Sequence, residues 1–79
     1  LLFARGELYR SRGNPRDLVS AAGFYRAALE QEPSNADAYR GLGLAQMRSR
    51  DPAAADSLRR YLAMKPNAVD SAMISTLIQ

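Results

Sequence analysis

The sequence predicts an all-α fold of about five helices, and three observations carry that reading. Apolar residues recur at three and four positions in every long segment, the spacing of one helix face. Pairs of a helix-capping residue and Pro punctuate the chain at Pro15, Pro33, Pro52 and Pro66. Period-two alternation never persists, and β-branched residues are scarce before the tail.

The elements follow in order, over 1–12, 16–31, 35–49, 52–64 and 69–78. In the first, Leu1, Leu2, Leu8 and Tyr9 fall on one side. Asn14-Pro15 then opens the second, with the capper at the N-cap and Pro at the first helical position, where its missing N–H costs nothing. Asp17, three residues on, completes a variant capping box. Leu18, Ala21, Ala22, Tyr25, Ala28 and Leu29 make the buried face of this helix. Ser34 with Asp37 predicts a similar start for the third helix, which carries Ala38, Tyr39, Leu42 and Ala45. Asp51-Pro52 predicts the start of the fourth, with Ala54, Ala55, Leu58, Tyr61 and Leu62. Asp70 or Asn67 starts the last. Its tail, Ile74 to Ile78, has strand-like composition, but its neighbours and Asp70 favour helix.

A displacement of 33 residues organises these helices into pairs. Ala21, Tyr25, Ala28, Leu29 and Pro33 match Ala54, Leu58, Tyr61, Leu62 and Pro66 one for one. Two helices per unit at this period are the sign of a helical-hairpin solenoid. The pairs divide the chain into 1–33, 34–66 and a closing helix over 67–79. Gly6 and Gly43 lie inside helices, where Gly costs about 1 kcal/mol relative to Ala. That cost predicts close helix approach, with Tyr25 and Leu58 packing over the gaps.

Composition bounds the chemistry. The chain has 79 residues, 47% of them hydrophobic, enough for at most one small domain. It has neither Cys nor His, which removes disulfides, the common zinc ligand sets and any Ser-His-Asp or Cys-His arrangement. Ser20, Ser57, Ser71 and Ser75 therefore lack an activating base. Glu30 and Glu32 read as solvent-facing, and Gly41-Leu42-Gly43 reads as packing, because it lies mid-helix without a preceding strand. No catalytic, cofactor or metal site is expected. The net charge of +3 comes from ten Arg and Lys65 against eight acids. That is modest for a nucleic-acid binder, and the rings fall at core spacing rather than free to stack. No apolar run is long enough to span a membrane.

Tyr39-x-x-Leu42-Gly43 followed by Ala54, Leu58, Tyr61 and Pro66 resembles the tetratricopeptide repeat (TPR). So does Gly6-x-x-Tyr9 followed by Ala21, Tyr25, Ala28 and Pro33. The resemblance covers residues 2–66. Arg5, Gln46 and Tyr61 depart from the usual residue types. The first turn, Ser11 to Asp17, is about three residues long for the pattern, and the second is about one short. The resemblance implies an α-α superhelix whose first helices line a concave, partner-binding face. It places Phe3, Glu7, Arg10, Asp37, Arg40, Leu44, Met47 and Arg48 there. Phe3, Glu7 and Gly41 stand where chaperone-tail binders carry Lys and Asn, so that carboxylate clamp is absent.

The expected function is a TPR scaffold binding a protein or peptide, acidic by the arginines of the face. Arg40→Glu with Arg48→Glu is expected to weaken such a partner and leave folding intact. A second reading is a non-catalytic appendage of an enzyme encoded upstream, such as an envelope zinc metalloprotease, from a loose similarity over 54–79. Leu1 opens a helical pattern already running, which reads as a piece of a larger bacterial protein of cell envelope or cytoplasm. The stripe Val69, Met73, Ile74, Leu77 and Ile78 reads as a capping face, with homo-oligomer formation as the alternative.

Overall fold

In a computed structural model, described over residues 1–78, five helices follow one another. They are α1 (Leu2–Arg12), α2 (Pro15–Gln31), α3 (Ala36–Arg48), α4 (Ala54–Met64) and α5 (Ser71–Ile78). The tail is helical, so local composition yields to its apolar face, which seats Ile74 fully buried.

α1 packs on α2, α2 on α3, α3 on α4 and α4 on α5. α1 also touches α3, whereas α2 and α4 do not touch among the described residues. α3 and α5 do not touch either, so of the helices two apart in the chain only α1 and α3 meet, and the two hairpins lean together on that side. Its Cα radius of gyration is 11.4 Å, against about 11.6 Å for a globule of this length. Two hairpins and a half thus close on themselves rather than extend as a rod.

Two cores share α3. Leu18, Ala21, Ala22, Tyr25 and Ala28 of α2 meet Ala38, Leu42 and Ala45 of α3, with Leu2, Phe3 and Tyr9 of α1 packed against them. Ala36, Leu58, Tyr61 and Ile74 form the second, with Tyr39, Leu44, Met47, Leu62 and Ile78 around it. Ala21, Ala38 and Ala45 have no exposed surface. Such small residues let the backbones approach, and large side chains fill the slots between them.

The glycines show the same device. A Cβ on Gly6 would lie 2.8 Å from Cε1 of Tyr25, and one on Gly41 would meet the same ring. Tyr25 is thus held between two glycines, one from α1 and one from α3. A Cβ on Gly43 would lie 2.5 Å from Cδ2 of Leu58. Tyr25 and Leu58 fill the gaps expected from the 33-residue displacement.

The helix starts differ from expectation in three places. Asn14 is the N-cap of α2, yet its side chain does not cap. Its amide Nδ2 donates to Oδ2 of Asp17 at 3.1 Å, because that carboxylate is buried and needs donors. Asn35, not Ser34, caps α3, accepting from the Ala38 N–H at 3.1 Å. α4 begins at Ala54 rather than at Pro52, and Asp51 instead closes a turn by accepting from the Ala53 N–H at 2.9 Å.

The long first turn is also resolved. Only Gly13 and Asn14 separate α1 from α2, with Gly13 left-handed at φ 76°. The extra residues lengthen α2, which starts six residues before Ala21, whereas α4 starts at the matching Ala54. In the shorter second hairpin Arg50 takes the left-handed turn conformation, at φ 58°. That conformation costs a non-glycine residue about 1–2 kcal/mol.

Candidate interaction surface

Two networks of Arg, carboxylate and Tyr stand on the α1–α3–α5 side, one at each core. In the first, Tyr25 is fully buried, its hydroxyl included. It donates to Oε2 of Glu7 at 2.9 Å and accepts from Nε of Arg10 at 2.9 Å, and Arg10 also pairs with Glu7. Burial pushes the Tyr25 phenol up to about 12, the Arg10 bond opposing and the Glu7 bond adding. Burial works against the Arg10 charge, but the bonds to Tyr25 and Glu7 outweigh it and its pKa is raised.

In the second network, Tyr61 donates to Oδ1 of Asp70 at 2.6 Å, and Arg40 donates through Nε to Oδ2 of the same carboxylate. The Tyr61 bond, then the Arg40 bond, hold the Asp70 carboxyl below its ordinary range. The same carboxylate raises the Tyr61 phenol. Asp70 directly precedes α5, and its backbone carbonyl accepts from the Ile74 N–H at 3.0 Å. One residue therefore ties the start of α5 to both α3 and α4.

These networks decide what the expected face residues do. Glu7 and Arg10 serve the first and Arg40 the second, so their charges are matched internally. That corrects the expectation that Arg40→Glu leaves folding intact, because Arg40 tethers α5. Leu44 and Met47 are half-buried against the second core. Phe3 packs tilted on Tyr25, with ring centroids 6.0 Å apart. Asp37 stays exposed, and Arg48 makes only a 3.4 Å bond from Nη1 to the Arg10 carbonyl. The structure thus groups Glu7, Arg10 and Arg48 at the α1–α3 seam and Asp37 with Arg40 beside Asp70 and the end of α4.

Two clefts open, one beside Arg40 and Asp70 and one between the start of α1 and the end of α2, away from Glu7, Arg10 and Arg48. One of about 540 Å³ is lined by Asp37, Arg40, Tyr61, Lys65, Ala68, Val69 and Asp70. The other, about 520 Å³, is lined by Leu1, Leu2, Phe3, Ala28, Gln31, Glu32 and Asn35. Tyr61 and Lys65 in one correspond to Ala28 and Glu32 in the other through the 33-residue displacement, so Lys65 stands in one cleft where the other has a carboxylate.

The sequence reading missed Asp70 as a tether and Phe24 as a surface ring. Phe24 stacks on Tyr9, with centroids 5.3 Å apart and planes 19° apart. Arg5 lies over Phe24 at 5.9 Å and Arg12 over Tyr9 at 5.0 Å. The displacement hid this pair, since Phe24 matches Ser57, whose hydroxyl donates to Gln46 Oε1 at 2.6 Å. One slot thus holds a polar pair in one hairpin and stacked rings in the other. A buried Tyr hydroxyl demands a partner, and that demand at Tyr61 was the signal pointing to Asp70.

Among the described residues no three His, Cys, Asp or Glu side chains gather as a metal site, and no helix is long and apolar enough to cross a membrane. Glu30 and Glu32 are exposed. No family model, curated protein or solved structure matches the chain.

Proposed function

We propose that the chain is a protein-interaction module of tetratricopeptide type, which takes a peptide or partner protein along its α1–α3–α5 side. The observation that carries this reading is the pair of clefts at equivalent positions of the two helical hairpins, each at the end of the second helix. An extended segment lying across both would meet Lys65 at one end and Glu32 at the other, with Phe3 and Val69 as apolar contacts. Extended-peptide docking of this kind takes specificity from side-chain pockets and needs no reactive group.

The test must avoid the residues that hold the fold. Arg48 and Lys65 have no carboxylate within 4.0 Å among the described residues. Peptides with acidic ends are titrated into the labelled chain, and amide shifts are followed by NMR. Shifts are expected at the start of α1, the ends of α2 and α4, the start of α3 and the Lys65–Asp70 segment, with binding several-fold weaker for Arg48→Glu with Lys65→Glu at unchanged melting temperature. Shifts that miss both clefts, or equal binding by the double variant, overturn the reading.

A further inference from the structure

α5 covers α4 much as α3 covers α2, but with far less of itself. α3 sets Ala38, Leu42 and Ala45 into the core it shares with α2. α5 lies against α4 alone among the helices, and Ile74 is its one buried residue. Ser71 and Ile78 stand beside Ile74 on the inward stripe, both half-buried. Among the described residues no side chain from Ser71 to Ile78 bonds another helix; the Thr76 hydroxyl donates within α5, to the Ala72 carbonyl.

The surface under α5 is held together by other helices. Leu58, which shares a core with Ile74, is seated against Gly43 of α3. That contact joins α3 to α4 and does not involve α5. Tyr61 and Ala36 complete the apolar floor. At its mouth two donors converge on one carboxylate: the Tyr61 hydroxyl on Oδ1 of Asp70, and Nε of Arg40 on Oδ2. The groove thus takes a carboxylate and then apolar side chains four and eight residues further on, the spacing of one helix face. Asp70, Ile74 and Ile78 supply that pattern from within the chain.

As an occupant, α5 leaves room for a better one. Eight residues are too few to hold a helix alone. Its inward stripe includes Ser71, a polar residue with no side-chain partner among the described residues. Its advantage is the tether through Lys65–Asp70, which keeps it at high local concentration. A second copy brings the same α5 without that tether, so it gains nothing by exchange. A foreign helix with an apolar residue at the Ser71 place does gain.

We propose that α5 is the resident occupant of a helix-binding groove on α4, and that an amphipathic helix of another protein takes the groove by displacing it. The incoming helix carries Asp at the place of Asp70 and Leu, Ile or Met at the places of Ser71, Ile74 and Ile78. The groove meets the Arg40–Lys65 cleft at Asp70, but its apolar floor lies under α5, so the exchange needs no peptide in either cleft.

The probe is a labelled synthetic peptide of residues 68–78 carrying Ser71→Leu, titrated into the full chain by fluorescence anisotropy. Apparent affinity rises with the fraction of chains whose groove is free. Ile74→Ala in the chain weakens α5 and leaves the floor in place, so it should bind the peptide roughly ten-fold tighter than the parent does. Asp70→Asn in the chain, a milder release, should bind it several-fold tighter. Asp70→Asn in the peptide should weaken binding several-fold. In the parent, hydrogen exchange should show α5 amides losing protection on binding while α2 amides keep theirs. Should Ile74→Ala lower α2 protection by itself, the Asp70→Asn chain decides. Equal binding by all three chains, or binding with α5 still protected, places the peptide outside the groove and overturns the proposal. No binding to a released chain whose α2 stays protected overturns it as well. Dimers of the parent chain that the peptide dissociates give the groove to a second copy and also count against it.

Discussion

Gly23 and Gly43 both sit inside helices, yet a methyl group added to each meets opposite surroundings. At Gly43 it would press on Cδ2 and Cγ of Leu58 and stand 3.2 Å from the Leu58 backbone nitrogen, which cannot rotate away. Gly43→Ala is therefore expected to destabilise the fold by ~1–3 kcal/mol through overpacking. At Gly23 the methyl enters open space, and the substitution removes only the conformational freedom of glycine, a gain of ~0.5–1 kcal/mol. In a domain of this size each 1 kcal/mol moves the melting temperature by about 4–8 °C. Thermal denaturation should show the two variants moving in opposite directions, and a shift of the same sign in both would refute the packing account. The pairing of Gly43 with Leu58 was legible because each hairpin sets a helical glycine in its first helix against a large residue in its second, Gly6 with Tyr25 and Gly43 with Leu58. The second clamp on Tyr25, from Gly41, was not, since it depends on how α1 and α3 converge.

Among the elements, α5 depends most on its neighbours. Eight residues are too few for a stable isolated helix, which needs roughly 12–15, so its docking decides whether it forms. One part of that docking is the burial of Ile74 beside Leu58 and Tyr61. The other is Asp70, bonded to Tyr61 and Arg40. The Asp70 carboxyl is held below its ordinary 3.8 in the folded chain. Its contribution is then complete above that unfolded value and is lost as pH falls through the lower, folded one. On acidification the amides of α5 should lose hydrogen-exchange protection before those of α2. Asp70→Asn should lower that protection already at neutral pH and remove the acid-dependent step in α5. An α5 equally protected in both chains across the acid range would show that Asp70 is not the tether. The helix itself was legible from Ile74 and Leu77 at three-residue spacing. The tether was not, because it joins residues 30 apart across the irregular Lys65–Asp70 segment.

At the scale of the whole molecule, the two ends are unequal. Ile74 faces inward on α5, while Val69 and Met73 are exposed, Met73 at 50%, and Leu77 stands at 39%. The apolar stripe read from the sequence therefore divides: one edge closes the second core, and the other forms an outer ridge on a helix with no charged residue. A helix face turned only to water would place charge there, as α4 does with Asp56, Arg59 and Arg60. Pairing of α5 ridges about a twofold axis would bury Met73 and Leu77 from both copies with one self-complementary patch. Sedimentation should then show mass rising with concentration toward a dimer. Met73→Glu with Leu77→Glu should return the chain to a monomer while leaving helicity intact, because neither side chain belongs to the buried core. A parent chain that stays monomeric at the highest concentrations would leave the ridge without a role in self-association.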